Sequence, residues 1–166
     1  MTPAVVVRAA RPEDARAMAR VHALAWQETY RGLMRDEVLD APDAVERRER
    51  MWTNVLTRIG GSGQRAAVAD RDGAVVGIAL AGPPEGDDAP QARQLYLIYL
   101  LAAEHGSGVG GPLLEAVLAP TEGAFLWVAD PNPRAQAFYR RHGFTPDGRS
   151  EVDDGVREIR MIRAAS

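Results

Sequence analysis

The stretch LYLIYLLAAEHGSGVGGPLLEAV, residues 95–117, constrains the fold more than any other part of the chain. It begins with an uncharged run of large apolar residues, the composition of a strand buried on both faces. Gly106, Gly108, Gly110 and Gly111 follow, and Pro112 then opens a helical stretch. A strand feeding a glycine-rich turn and then a helix N-terminus is an anion site by construction. The first-turn N–H groups have no intrahelical acceptor, the helix dipole favours negative charge, and glycine lets the backbone approach a ligand closely. Proline suits that turn, because the N–H it lacks would have had no intrahelical acceptor. A pyrophosphate is the natural guest; a plain tight turn is the alternative.

Two diphosphate patterns overlap here. Gly106, Gly108 and Gly111 satisfy G-x-G-x-x-G, and Asp130 ends the next predicted strand, near where an acid would catch a ribose hydroxyl. Against a dinucleotide site, the residues before the loop read as helices and an antiparallel hairpin, and too few βα units follow. A P-loop is excluded more simply, because no Gly-Lys-Ser/Thr follows. Gly106, Gly108 and Gly110 fit a different phosphate cradle equally well.

The chain around the loop reads as a mixed α+β fold. Residues 5–8 form an opening strand, and Pro12-Glu13-Asp14 starts a helix that carries Ala15, Met18, Val21 and Ala25 on one stripe and breaks at Gly32. A second helix is predicted over about 43–56, with GGSGQ (60–64) as a flexible break. Strands over 65–70 and 74–81 join through Asp72-Gly73, a strong hairpin signal. The Pro-rich acidic segment 83–90 is loop. Residues 125–130 form another strand, residues 133–141 a helix capped by Gly143, and residues 150–161 a hairpin turning at Asp153-Asp154-Gly155. One central parallel pair is expected, not a run of βαβ units.

The remaining composition excludes several classes. The 166 residues suit one compact domain, residues 1–166, and 20 Lys+Arg against 23 Asp+Glu leave a net charge of −3. That argues against nucleic acid as the main partner, since phosphate backbones need a basic surface. Without cysteine there are no disulfides, thiolate metal sites or cysteine nucleophiles, and His22, His105 and His142 show no metal-ligand spacing. No positively charged leader precedes an apolar stretch, and the longest uncharged run of large apolar residues, within 94–103, is short of the roughly 20 residues that span a bilayer. A soluble cytoplasmic protein is the expectation, with no membrane partner.

The segments LIYLLAAEHGSGVGGPLLEAV and LWVADPNPRAQAFYRRHGF together resemble the GNAT superfamily of acetyl-CoA-dependent N-acetyltransferases. That family's pattern is an apolar strand, then Gln/Arg-x-x-Gly-x-Gly/Ala, a helix, a second strand, an Asn, a helix carrying a Tyr, and a terminal Gly-Phe. Here His105-x-x-Gly108-x-Gly110, Asn132, Tyr139 and Gly143-Phe144 occupy those places, and Trp26-x-x-x-Tyr30-x-Gly32 looks like a group of bacterial members acting on small molecules. The resemblance implies the GNAT fold: a central twisted mixed sheet with a splayed parallel strand pair and flanking helices.

It also implies acetyl-CoA as cofactor and a primary amine, by default a small molecule, as acceptor, with direct attack in a ternary complex and a homodimer by family habit. The backbone of Ile98, Tyr99 and Leu100 would face the acetyl and pantetheine arm. His105, Gly106, Ser107, Gly108, Val109, Gly110 and Gly111 would wrap the pyrophosphate, and Asn132 would hold the pantetheine arm. Tyr139 would protonate the departing thiolate. Trp26, Glu28, Tyr30, Gln94 and Trp127 are candidates for the acceptor side. Two departures stand out. His105 replaces the usual Gln/Arg, and Gln94 stands where many members place a glutamate base, which an amide cannot replace. Glu28, Asp130 or a water relay would then substitute, or the amine would arrive already neutral. A non-catalytic acyl-CoA-binding module and, at more distance, an NAD(P)-dependent enzyme are the alternatives.

Overall fold

The computed structural model describes residues 4–166. Its frame is a seven-stranded sheet in the order β1-β2-β3-β4-β5-β7-β6. The strands are β1 (Val5–Ala9), β2 (Arg65–Arg71), β3 (Ala74–Gly82), β4 (Gln94–Leu100), β5 (Ala124–Ala129), β6 (Thr145–Asp153) and β7 (Val156–Arg163). The helices are α1 (Ala15–Tyr30), α2 (Asp36–Leu39), α3 (Ala44–Ser62), α4 (Gly110–Val117) and α5 (Pro133–Arg141). Neighbouring strands run antiparallel except β4 and β5, the one parallel pair. Both two-residue turns form as expected, with Asp72-Gly73 and Asp154-Gly155 at positive φ throughout.

The sheet is buried on both faces because its central strands alternate two kinds of apolar residue. Val68, Ile78 and Leu80 face α1 and α3, where they meet Met18, Val21, Trp52 and Leu56. Ala67, Ala69, Ala79 and Ala81 face the other way, against Leu113, Leu114 and Val117 of α4. The alanines are what let α4 lie close, since each removes bulk from the sheet surface where leucines of the helix descend.

The structure differs from the sequence expectation in three places. The stretch 60–64 is no break: α3 continues through Gly60 and Gly61 to Ser62 and ends at Gly63, which is left-handed at φ 76°. Ile59 packing onto the core outweighs the helix penalty of two glycines, roughly 1 kcal/mol each. The final hairpin begins at Thr145, with an irregularity between Pro146 and Ser150. A short helix, α2, also forms in a segment that carried no periodic signal.

Arg8 of β1 ties the start of α1 to the sheet. Its guanidinium donates to both oxygens of Asp14, at 2.8 and 3.0 Å, and to Asp70 at 3.2 Å. Asp14 also accepts the Arg11 N–H at 2.7 Å, and these bonds, Arg8 foremost, hold its carboxyl below the usual range. Among the described residues no helix is long and apolar enough to cross a membrane.

Gly77 of β3 is a point of close approach: an added Cβ would lie 2.5 Å from Leu100 Cδ2 and 3.1 Å from Leu113 Cδ2. Gly77→Ala should therefore destabilise the fold by about 1–3 kcal/mol through overpacking, seen as a lower urea midpoint with an unchanged m-value.

Candidate functional site

The site begins where β4 and β5 part. Their register is confined to Gln94 opposite Phe125, so the strands touch at one end and diverge along the rest. On the other side of β4 the Leu101 N–H donates to the Val76 carbonyl at 3.0 Å. Antiparallel ladders alternate, so the backbone groups of Leu100 and Ile98 turn away from β3 and toward the gap, while Tyr99 bonds back to β3. A cavity of about 580 Å³ fills the gap, with Tyr30, Ile98, Leu100, Trp127, Asn132 and Tyr139 in its walls.

The glycine loop closes one end of this cavity. Gly106 and Gly108 have φ of 81° and 85°, and a Cβ on either would meet nothing within 4 Å, so backbone conformation is what requires glycine there. Gly110 and Gly111 answer a different need. They are the first residues of α4, and a Cβ would lie 2.9 Å from Phe138 and 3.3 Å from His142, both of α5 or its end. Among the described residues no backbone carbonyl accepts the N–H of Gly106, Gly108 or Val109, and the first turn of α4 adds further free donors. The Ser107 N–H, by contrast, donates to the Glu104 carbonyl at 3.1 Å. Glu104 also lines the cavity, but Arg71 grips its carboxylate at 2.8 and 2.7 Å, which anchors the loop to β2 and holds that carboxyl below the usual range.

His105 has two partners that fix its tautomer. Its Nε2 lies 3.1 Å from the Leu100 carbonyl, which can only accept, and its Nδ1 faces the Arg134 guanidinium, which can only donate. The ring therefore carries its proton on Nε2 and positions Arg134 beside the loop. Arg134 and Arg141 both line the cavity. The positive charge that His105 does not supply by itself is thus present on α5. The sequence held a signal for it: a cation in the first turn of a helix opposes the dipole and calls for another reason to be there.

α5 brings in the remaining polar groups on this side. Asn132 is its N-cap, with Oδ1 accepting the Ala135 N–H at 3.3 Å. Tyr139, one helix face further on, is 8% exposed, lines the cavity, and has no hydrogen-bond partner among the described residues. Burial, and secondarily Tyr30, push its phenol well above the ordinary range.

On the α1 side Tyr30 lines the cavity, and an aromatic cluster packs behind it. Trp26 and Tyr30 stand 5.0 Å apart, His22 stacks on Tyr99 at 5.5 Å, and Arg48 of α3 lies 4.9 Å over the Trp26 ring. The buried Trp26 indole N–H has no acceptor within hydrogen-bond distance among the described residues. Tyr99 is pushed well above the ordinary phenol range by burial and then by Tyr30. His22 accepts the Trp52 indole N–H at Nδ1, 3.2 Å away, and burial followed by Arg48 pushes it down to about 3. Trp127 lines the cavity from β5, with Arg160 over its ring at 5.8 Å.

Trp26, Ser107 and Val109 are not among the residues lining the cavity, and three further expected residues are turned away from it. Glu28 is exposed and accepts the Ala102 N–H at 2.7 Å. Asp130 is held by Arg157 and lies 3.4 Å from Gln136 Nε2. Gln94 sits at the closed end of the strand pair, its Oε1 accepting the Glu85 N–H at 2.9 Å. Each fills a local bonding need that tertiary contact created, which spacing along the chain does not reveal. Conversely, Glu158 of β7 lies half-buried opposite Ala129, on the same sheet face as Trp127, and carried no sequence signal.

The acetyltransferase (GNAT) family model matches residues 25–144. A probable N-acetyltransferase of Mycobacterium tuberculosis is 29% identical over 87% of this chain and 82% of its own length. An uncharacterized N-acetyltransferase of Bacillus subtilis is 27% identical over 95% of this chain and 88% of its own. Among solved structures, the PaiA N-acetyltransferase of Thermoplasma acidophilum, determined in complex with coenzyme A, superposes with a TM-score of 0.74 at 19% identity, covering 97% of this chain and 99% of that one.

The buried His22 makes stability pH-dependent in a defined window. Its pKa falls from 6.5 in the unfolded chain to about 3 in the folded one, so the unfolded state binds the extra proton between those values. Stability is complete above about pH 6.5 and declines toward pH 3, by at most about 1.4 kcal/mol per pH unit for this group. His22→Leu should reduce that slope between about pH 6.5 and 5, measured by urea unfolding followed through tryptophan fluorescence.

Proposed function

Because the chain belongs to the GNAT acetyltransferase family, we propose that it moves an acetyl group from acetyl-CoA to the primary amine of a small molecule, by direct attack in a ternary complex. The observation that carries this reading is Tyr139: a nine-tenths-buried residue whose hydroxyl has no partner among the described residues, in a cavity bounded by a glycine loop at one end and Tyr30 at the other.

The residues present fit coenzyme A. The free N–H groups of Gly106, Gly108 and Val109 and the first turn of α4 suit a pyrophosphate, with Arg134 and Arg141 supplying charge. The open space beside Gly106 and Gly108 leaves the backbone approachable. Ile98 and the Leu100 N–H offer strand edge without a sheet partner to an extended amide-bearing arm, and Asn132, whose Oδ1 serves the helix cap, keeps its amide N–H₂ to donate.

Acetyl-CoA, when bound, supplies the acetyl group as a thioester. The chain's own groups then divide the work. The Leu100 N–H is a donor on the cleft wall of the kind that steadies negative charge building on an attacked carbonyl. Tyr139 holds its proton across the working pH range, because burial raises its pKa, and offers it to a departing sulfur, whose thiol has an ordinary pKa of roughly 8.5. No cysteine exists to carry the acetyl group between the two substrates, which favours direct attack. Tyr30 and Trp127 bound the acceptor side, with Trp26 packed behind Tyr30. The net charge of −3 favours a small amine over a nucleic-acid acceptor.

Acetyl-CoA should raise the melting temperature while NAD(H) and NADP(H) leave it unchanged; the reverse overturns this reading. Arg134→Ala should weaken coenzyme A binding by about tenfold in titration calorimetry. Tyr139→Phe should lower kcat by about 10²-fold and leave coenzyme A affinity within about twofold.

A further inference from the structure

A bulge in β4 divides the cleft into two unlike halves. The pairing of β3 with β4 slips between Leu80 and Ala81, which leaves Tyr96 as the extra residue on β4. Leu95, Ile98 and Leu100 therefore pack on the α4 side of the sheet, while Tyr96, Leu97 and Tyr99 pack on the α1 side. On β5, Leu126 and Val128 belong to the α4 side, so alternation turns Trp127 to the α1 side. The glycine loop, Asn132 and Tyr139 serve the first half. The second half is lined by Thr29, Tyr30, Tyr96, Leu97, Tyr99 and Trp127, mostly rings, and none of them is charged.

Among the described residues, the charged and titratable imidazole and guanidinium groups that line the cavity gather at the loop end. His105 faces Arg134 there, and His142, next to Arg141, lies against Gly111. Glu104 lines the cavity too, in the grip of Arg71. The charges nearest the ring-lined half stay outside its walls. Arg160 lies 5.8 Å from the Trp127 ring, but its guanidinium donates to Asp147 at 2.6 Å. Arg48 lies over Trp26, the ring packed behind Tyr30, and donates to the Ala44 carbonyl at 3.3 Å. Glu151, Asp153 and Glu158 of the last hairpin are not among the lining residues. The rings themselves are held from behind, Tyr30 by Trp26 at 5.0 Å and Tyr99 by His22 at 5.5 Å.

We propose that the acceptor is a primary amine on a short, ring-bearing body with no second charge, an arylethylamine in chemical class, seated with its ring among Tyr30, Tyr99 and Trp127. The acceptor class so named rests on the acetyl-transfer reading above. A carboxylate or a second ammonium on the same molecule would enter a space whose walls offer it no opposite charge, and burying an unpaired charge is costly. A flat apolar body gains instead, from the area it buries and from edge-to-face contacts with the surrounding rings. The hydroxyls of Thr29, Tyr30 and Tyr99 are the polar side-chain groups this half contributes. A few such groups suffice to orient one amino group, and they do not pair a further charge. Amino acids and polyamines are therefore disfavoured as acceptors.

The test uses the full chain with acetyl-CoA and four amines: 2-phenylethylamine, hexylamine, free phenylalanine and 1,4-diaminobutane. 2-Phenylethylamine should give the highest kcat/KM, about fivefold above hexylamine and about 10²-fold above the other two. Phenylalanine is the sharper comparison. Its ammonium is the more acidic, so ionisation alone would favour it, and a carboxylate read by Arg48 or Arg160 would put it first. The diamine asks the same of the carboxylates on the last hairpin. Trp127→Ala should raise KM for 2-phenylethylamine about tenfold and leave KM for acetyl-CoA within about twofold, a split that general loss of structure would not produce. Thr29→Asp, which sets a carboxylate in the wall, should shift the preference about tenfold toward 1,4-diaminobutane. Melting temperatures with and without acetyl-CoA check that both variants fold, and the order among the four amines needs no variant. A wild type that acetylates any of the other three faster than 2-phenylethylamine overturns this inference and leaves acetyl transfer standing, as does a folded Trp127→Ala with an unchanged amine KM. A wild type that binds acetyl-CoA but acetylates none of the four overturns both.

Discussion

The divergence of β4 from β5 is the constraint on which the site depends. Two parallel strands that touch only at Gln94 and Phe125 leave the backbone groups of Ile98 and Leu100 without a sheet partner, in a molecule whose other central strands are paired on both edges. Buried backbone polar groups need partners, and a fold can leave them open only where something else reaches them. The Leu100 carbonyl already shows this, since the His105 ring supplies a donor to it. The cavity, the exposed strand edge and the access of Tyr139 to the middle of the sheet all follow from one missing stretch of ladder.

Closing that gap from either side falls to two differently built layers. On one face, small sheet residues let α4 come down close, and Gly110 and Gly111 let α5 press against the first turn of α4. That layer is rich in free N–H groups and cations, which suits a phosphate-bearing ligand. On the other face, α1 and α3 present rings: His22, Trp26, Tyr30 and Trp52 with Tyr99 from the sheet. This layer excludes water and raises the pKa of every phenol it buries. The three phenols Tyr30, Tyr99 and Tyr139 meet where the layers touch, which sets the proton chemistry available there.

Much of this was legible along the chain, and the reasons differ from part to part. The glycine loop, the Asn132 cap and Tyr139 lie in local patterns where spacing itself carries the geometry: a strand, a turn of left-handed glycines, a helix. Both tight hairpins were legible because only a few residue pairs tolerate positive φ at successive positions. The end of α3 was not, because its glycines argue locally against a helix and only the packing of Ile59 overrides them. The acid candidates failed for a related reason. Glu28 and Asp130 were reasonable by chain position, but their oxygens are occupied by Ala102, Arg157 and Gln136, partners brought by folding.

By itself, then, the sequence determined the family, the mixed sheet with its one parallel pair, and the glycine loop that leads into a helix, because these rest on local backbone preferences and on the alternation of apolar residues. Only the tertiary structure decided which charged groups stay free. Arg134 reaches the loop because α5 packs on α4, and Glu158 shares a sheet face with Trp127 because β7 pairs with β5 in one register and not its neighbour. A one-residue slip would turn that carboxylate to the opposite face of the sheet. Availability of a side chain is a property of everything packed around it, and linear spacing holds no record of that.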